Sequence, residues 1–280
     1  MTQRAIAQLL VGRPTSDGAG VKLFRVISPN QRDFDPLLML DEFVSDDSAD
    51  YIAGFPEHPH RGFETVTYML EGAMEHRDHM GNVGRINAGD VQWMSAGRGV
   101  IHSEMPLQKE GRMHGFQLWI NLPASAKMKP AAYQELADKN IPHLRCDGVD
   151  IKVIAGVAEV GGQQVVGPVV VPQTDAYYFD IALDANSSVE LPLPVGHQVL
   201  LYMFQGRAKV AGNWLENRRG AKLSAGRSVA LATGENAARL LLIAGTPLGE
   251  PVVNYGPFVM NTEAEIHQAI RDYQNGQLTA

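Results

Sequence analysis

The sequence has little cysteine, no concentration of positive charge and no long apolar run, and each shortage excludes a class of protein. Its single cysteine, Cys146, rules out an intrachain disulfide framework and favours a reducing compartment, so we expect a cytoplasmic location. Acidic residues outnumber basic ones, 31 to 24, and the basic residues do not cluster, so direct nucleic-acid binding is not indicated. No apolar stretch approaches the roughly 20 residues that cross a bilayer, and the first ten residues do not resemble a secretory signal. We therefore expect no membrane partner.

What the sequence does contain is typical of a globular β protein. Its 280 residues are 45% hydrophobic and 20% charged, and that length favours two domains. Alternating apolar and polar runs, for example 21–27, 65–70 and 115–122, are separated by glycine-bearing turns, the pattern of antiparallel strands. We predict an N-terminal domain over 1–135 and a C-terminal domain over 136–280.

The last segment predicts a helix, and the second half of the chain repeats part of the first. A capping box at Thr262–Glu265 precedes an apolar stripe at helical spacing. The run from Val199 to Gly206 resembles that from Thr65 to Gly72 at an offset of 134 (199 minus 65), and Ala225 aligns with Ala88 at an offset of 137. At the same offsets, the second-copy counterparts of His58, His60, His102 and Glu104, the potential ligands described next, are Pro192, Pro194, Arg239 and Leu241. We therefore expect no metal ligands in the second copy.

The stretch from His58 to Glu104 carries the strongest chemical signal. It opens with His58-Pro59-His60 and closes with His102-Ser103-Glu104. Residues i and i+2 of a strand point to the same face, so each pair can direct two ligand groups at one point. Three imidazoles and a carboxylate suit a first-row transition metal, and we predict a metal site formed by these four residues.

Other polar residues near this stretch have ordinary interpretations. His76 and His79 lie in the polar run EHRDH, which favours a solvated strand end over a ligand role. His114 begins an alternating run, where a position on a cavity wall and a buried hydrogen bond are equally expected.

Several longer segments resemble the pirin family of the cupin superfamily. These are HPHRGFETVTYMLEG (58–72), GDVQWMSAGRGVIHSE (89–104), HGFQLWINLP (114–123) and GPFVMNTEAEI (256–266). The resemblance covers nearly the whole chain. It implies an all-β bicupin, in which two antiparallel barrels of jelly-roll type pack together and a C-terminal helix follows.

The resemblance also implies a ligand set and a metal. It places the ion in the N-terminal barrel on His58, His60, His102 and Glu104. In the general cupin pattern Glu64 is the carboxylate ligand, so spacing alone leaves the choice between the two glutamates open. Iron(II) is the metal that the family favours, whereas the donor set also admits Cu, Ni, Mn and Co, and zinc less readily.

Two functions follow from the resemblance. The first is that of a flavonol 2,4-dioxygenase, or quercetinase, which uses O2 to open the central ring of quercetin and releases carbon monoxide; Glu104 would be the catalytic base, and Phe63, Trp93 and Met94 would form the wall for the aromatic substrate. The second is that of a metal-containing regulator that acts through a protein partner without turnover. A metal-dependent isomerase, which other cupins suggest, ranks third because fold alone does not define function.

Overall fold

The computed structural model describes residues 2–280, which form mainly antiparallel β-strands with two short 3₁₀ turns, at Ser48–Asp50 and Asp138–Asn140, and two α-helices. The strands up to residue 136 are β1 (Ile6–Val11), β2 (Arg13–Asp17), β3 (Val21–Ile27), β4 (Leu37–Ser45), β5 (Phe55–His60), β6 (Phe63–Glu71), β7 (Met74–Asp78), β8 (Val83–Ile86), β9 (Val91–Ser95), β10 (Val100–Pro106), β11 (Met113–Asn121) and β12 (Ala132–Leu136). The later strands are β13 (His143–Cys146), β14 (Val149–Ala155), β15 (Val157–Val160), β16 (Gln163–Val166), β17 (Tyr177–Leu183), β18 (Ser188–Pro192), β19 (Gln198–Gln205), β20 (Ala208–Val210), β21 (Asn213–Leu215), β22 (Arg219–Leu223), β23 (Ser228–Ala232), β24 (Ala238–Gly245), β25 (Val253–Tyr255) and β26 (Phe258–Met260). The helices are α1 (Ala124–Lys127) and α2 (Glu263–Gln274).

These elements group into two compact units. The N-terminal segment belongs to the unit formed mainly by the second half of the chain, and the C-terminal segment belongs to the unit formed mainly by the first half. The first unit contains Arg13–Asp33, Leu37–Asp138 and Leu248–Ala280. The second contains the residues up to Gly12, Phe34–Pro36 and Lys139–Pro247. One of the divisions between the units lies between Asp138 and Lys139. However, β1 belongs to the second unit and α2 to the first, because each makes its contacts there.

Each unit contains a seven-stranded and a four-stranded antiparallel sheet, and apart from one edge strand of the larger sheet the strand order is the same in both. In the first unit the orders are β12-β9-β6-β11-β4-β3-β2 and β5-β10-β7-β8. In the second they are β1-β22-β19-β24-β17-β14-β13 and β18-β23-β20-β21. The predicted all-β fold of two jelly-roll units is therefore confirmed. Within the described residues, the two sheets of a unit stay separate in their hydrogen bonding, so neither barrel closes fully.

The matching strand orders correct the alignment of the internal repeat. β10 lies between β5 and β7, as β23 lies between β18 and β20, so these two strands are equivalent. The run AGRGV (96–100) matches AGRSV (225–229), and Val100 opposes His60 as Val229 opposes Leu191, so His102 corresponds to Leu231 and Glu104 to Thr233. The predicted counterparts of these two ligands, Arg239 and Leu241, lie instead on β24. His58 and His60 likewise correspond to Val189 and Leu191, which are buried in the apolar core of the second unit. The offset between corresponding residues of the two halves changes along the chain, because the turns differ in length. The offset of 137 taken from Ala88 and Ala225 therefore does not apply to other strands.

The predicted C-terminal helix is confirmed and packs within the first unit. The Thr262 side chain accepts a hydrogen bond from the Glu265 amide while the Glu265 carboxylate caps the first turn in return. Ile266 and Ala269 are buried in an apolar cluster with Phe258 of β26. Among the described residues, no helix is long and apolar enough to cross a membrane.

Candidate metal centre and cavity

Three histidines converge on one point of the first unit. His58 on β5 and His102 on β10 are directly paired across the two strands. His60 follows two residues after His58, so alternation directs both side chains to the same face. The Nε2 atoms of His58 and His60 are 3.0 Å apart, and one ring nitrogen from each of the three histidines lies within 4.8 Å of the others. The structure thus brings together three of the four predicted ligands.

Local sequence explains how β5 presents its two histidines. Pro59 lies between them and lacks an N–H group, which is tolerated because β5 is an edge strand of the four-stranded sheet. Immediately after His60, Gly62 has φ of +93°, and a Cβ there would lie 2.0 Å from the Val259 carbonyl oxygen. Glycine therefore allows the segment before α2 to approach the end of β5.

Hydrogen bonds leave the inward-facing nitrogens with free lone pairs. The His58 Nδ1 lies 2.8 Å from the Pro56 carbonyl and the His60 Nδ1 lies 3.3 Å from the Pro257 carbonyl. Because a carbonyl only accepts, a proton on each Nδ1 satisfies it, and this tautomer leaves the Nε2 lone pair available to a metal. The His102 Nε2 is buried without a hydrogen-bond partner. Three lone pairs held together this way are unfavourable to one another and fit a divalent transition metal.

Burial favours the neutral form of the His60 and His102 imidazoles. Burial lowers the pKa of His60 well below its ordinary value, and the neighbouring His58 lowers it further. Burial also lowers the pKa of His102, with further contributions from His60 and His58. Since a metal ligand must be deprotonated, protons compete weakly at these two positions.

His76 supports this cluster, although the sequence suggested a solvated position for it. It is fully buried on β7, and its Nδ1 lies 3.4 Å from the Nδ1 of His102. Its ring stacks on Tyr133 at 4.8 Å. The alternation of β7, which buries Met74 and His76 between half-buried or exposed neighbours, was the signal that could have indicated this position. His79 is exposed, as expected.

Glu104, the fourth predicted ligand, lines the same cavity but lies outside the three-histidine group. It is buried, and its Oε1 accepts a hydrogen bond of 2.6 Å from the Thr67 hydroxyl. Its Oε2 lies 3.5 Å from the Gln117 side-chain amide. These two residues hold the carboxylate on the cavity floor, two positions beyond His102 on the same face of β10.

Glu64 lies on the opposite face of its sheet. Its two carboxylate oxygens bond Lys129 Nζ at 2.8 Å and Trp93 Nε1 at 2.9 Å. Because Glu64 and Thr67 are three positions apart on β6, strand alternation directs them to opposite faces. Glu64 therefore reaches neither the cavity nor the histidines.

The residues expected to form the substrate wall are placed differently from that prediction. Trp93 pairs with Val66, on the face away from Thr67, and Met94 packs in a separate buried cluster with Ala96. The Phe63 ring lies 5.0 Å from that of His60 and packs in a buried cluster with Leu38 and Val259. None of the three borders the cavity, so the prediction was wrong, because residue type does not show which of the buried side chains reach a cavity. His114 is buried and bonds Glu42 at 2.9 Å, which is the hydrogen-bonded alternative.

The cavity beside the histidines has a volume of about 670 Å³. One part of its wall is apolar and is formed by Leu23, Met39, Phe43, Phe55, Met74 and Trp119. The rest includes polar side chains, among them Arg25, Asp41, Thr67, Glu104 and Gln117. An apolar pocket with a few convergent polar groups is the usual form of a small-molecule site.

Comparison with known proteins agrees with this geometry. The family model described as Pirin matches residues 20–120, and that described as Pirin C-terminal cupin domain matches 178–279. The chain is 51% identical over 280 residues to a Pseudomonas aeruginosa protein named "Putative quercetin 2,3-dioxygenase", covering 98% of each. It is 47% identical over 279 residues to a Caulobacter vibrioides "Pirin-like protein", covering 99% of this chain and 100% of that one.

A solved structure is similar over the whole chain. The crystal structure of a quercetin 2,3-dioxygenase from Acinetobacter baumannii has a TM-score of 0.90 and 34% identity, covering 100% of this chain and 99% of that one. The topology, the family models and these relatives agree, and the chain belongs to the pirin family.

Proposed function

We propose that this protein is a metal-dependent dioxygenase that uses O2 to open the central ring of a flavonol such as quercetin. The observation that supports this most strongly is the convergence of three histidines, two of which, His58 and His60, line a cavity large enough for an aromatic molecule. The names of the Pseudomonas and Acinetobacter relatives support the same substrate class.

The proposed ligands are His58, His60, His102 and Glu104, and the proposed ion is iron(II). A divalent transition metal held by these groups supplies Lewis acidity toward a hydroxyl oxygen and redox chemistry toward dioxygen. Glu104 lies two positions beyond His102 on the same face of β10 and would complete the ligand set. Glu64 is not proposed as a ligand, since both its oxygens have other partners.

The chain's own groups account for substrate orientation and proton transfer. Glu104 accepts the proton of the flavonol 3-hydroxyl group on a carboxylate oxygen, as general base. Thr67, 2.6 Å from that carboxylate, fixes its position on the cavity floor. Phe43 and Trp119 belong to the apolar wall and hold the flat rings, which also excludes water from the reacting end.

The test pairs metal analysis with an oxygen-uptake assay. Protein purified without added metal or a nickel affinity column is analysed for bound metal, reconstituted with each candidate ion, and mixed with quercetin. We expect quercetin and O2 to disappear together, and Glu104→Gln to remove most of the rate. Glu110→Gln, at an exposed position outside the cavity, is the matched control and should keep the full rate.

The two outcomes separate the enzyme from the regulator. Turnover that depends on Glu104 supports the dioxygenase. A stoichiometrically bound ion without turnover, whichever candidate metal is used, contradicts it and favours a metal-containing regulator that acts through a protein partner.

A further inference from the structure

A row of polar side chains crosses the seven-stranded sheet on the face that lines the cavity. Strand register places Arg25 opposite Asp41, Asp41 opposite Gln117, and Gln117 opposite Thr67. Neighbouring strands are about 4.8 Å apart, so these three steps span about 14 Å. Thr67 bonds Glu104 at one end of the row, and Arg25 occupies the other. A molecule lying along this row would touch the reacting end and the arginine together.

Arg25 and Asp41 form a two-point pair at that far end. Arg25 Nε donates to Asp41 Oδ1 at 2.9 Å and Arg25 Nη2 donates to Asp41 Oδ2 at 2.7 Å. Nη2 also donates to Asp17 at 2.7 Å. Within the described chain Nη1 makes no hydrogen bond, so its two N–H groups are available to a ligand, as are further lone pairs on the Asp41 oxygens.

The charges at this end favour a neutral guest. One guanidinium faces two carboxylates, Asp41 and Asp17, so the local formal charge is negative and an anionic group would be repelled. Burial raises the pKa of Asp41 to about 6 even though Arg25 opposes the shift. Arg25 therefore compensates the negative charge of Asp41 only in part, and a further hydrogen-bond donor would stabilise this carboxylate. A neutral group with adjacent donor and acceptor matches these features, and a vicinal diol on an aromatic ring has this form.

A purely structural ion pair is the simpler alternative. Arg239 and Asp180 form such a pair in the second unit, with Nε to Oδ1 at 2.9 Å and Nη2 to Oδ2 at 2.6 Å. The two pairs are alike in geometry, and both aspartates are almost fully buried. The difference is that Arg25 and Asp41 line the large cavity, whereas Arg239 and Asp180 do not.

We propose that Arg25 and Asp41 form a specificity subsite that recognises a neutral catechol ring at the end of the substrate away from the three histidines. The proposal rests on the proposed function, because it assigns the reacting ring to the Glu104 end. In this arrangement one catechol hydroxyl accepts a hydrogen bond from Arg25 and the other donates to Asp41. The subsite thus selects among flavonols by the substituents of their pendant ring.

The test uses three flavonols that differ only in that ring, which is a catechol, a phenol or an unsubstituted phenyl. Their affinities for the metal-loaded protein are measured by equilibrium titration without oxygen, so no turnover is needed. We expect the catechol to bind about tenfold more tightly than the phenyl compound, a difference of about 1.4 kcal/mol and within reach of one or two net hydrogen bonds.

Variants locate the origin of this preference. Arg25→Gln should reduce the catechol preference to about twofold and leave affinity for the phenyl compound unchanged. Arg239→Gln breaks the matched ion pair in the second unit and should keep the tenfold preference. Equal affinities across the series in the unmodified protein, or an undiminished preference in Arg25→Gln, would overturn the proposal.

A fourth ligand keeps the test decisive if Arg25→Gln fails to fold. A flavonol with a carboxylate on the pendant ring should bind the unmodified protein more weakly than the phenyl compound, and tighter binding would refute the neutral subsite. Binding and turnover also fail separately. A catechol preference without turnover upholds the subsite and refutes the dioxygenase, whereas turnover without preference refutes the subsite alone.

Discussion

His76 provides a test of how the three-histidine cluster is organised. Its Nδ1 faces the Nδ1 of His102 at 3.4 Å, so one of the two must donate and the other accept. Donation by His102 leaves its buried Nε2 as a bare lone pair toward the other histidines, which is the form that binds a metal. His76 therefore selects the tautomer of His102 by accepting this proton.

The substitution His76→Phe removes the acceptor and keeps a flat ring to stack on Tyr133. Partners of this kind typically contribute 10- to 100-fold to metal affinity, so we expect a loss of about 1.4 to 2.7 kcal/mol in metal binding. The measurement is competition for the ion against a chelator of known affinity, at a pH near 7 and with folding checked by circular dichroism.

The control is His79→Phe, at the exposed position just beyond the same strand. It should leave metal affinity within about twofold of the unmodified protein. If His76→Phe bound the ion as tightly as this control, His76 would not orient His102 and the reasoning would be refuted.

Three further predictions concern the surroundings of the cluster. Gly62→Ala should destabilise the protein and loosen metal binding, as measured by urea unfolding and metal retention, because the new Cβ would overlap the Val259 carbonyl; an unchanged midpoint would contradict this. Lys127→Met should cost about 3 kcal/mol in urea unfolding, since the buried amine donates to three acceptors, two of them the Gly62 and Val259 carbonyls; a loss below about 1 kcal/mol would argue against that network. In metal-free protein, burial lowers the pKa of His102, so below about pH 6.5 the unfolded chain binds a proton that the folded chain does not. As the pH is lowered below about 6.5, the free energy of unfolding of the protein should therefore decrease by up to about 1.4 kcal/mol per pH unit because of this residue. His102→Phe should reduce the slope of stability against pH by that amount, and identical slopes in the two proteins would exclude the effect.

The sequence predicted the histidine cluster well because its signal is local. The spacing of His58 and His60, and the position of His102 two residues before Glu104, need only strand alternation to place side chains on a face. The all-β class and the C-terminal helix were accessible for the same reason, since periodicity and the capping box are local patterns.

Other features depended on strand pairing, which one sequence does not reveal. Thr67 borders the cavity and Glu64 does not, because they lie on opposite faces of β6. Only the pairing of β6 with β9 and β11 determines which of these faces lines the cavity. The polar neighbours of His76 suggested solvent, although they lie on the outer positions of an alternating strand. The assignment of β1 to the second unit and of α2 to the first likewise depends on contacts between residues far apart in the sequence.

The most direct test of the account is the metal content of the protein and of two histidine variants, all purified without affinity-column nickel and supplied with iron(II) under anaerobic conditions. We predict about one ion per chain in the unmodified protein and in His79→Ala, and almost none in His102→Ala. A full ion in His102→Ala, or no ion in any of the three proteins, would contradict a metal centre built on the three histidines.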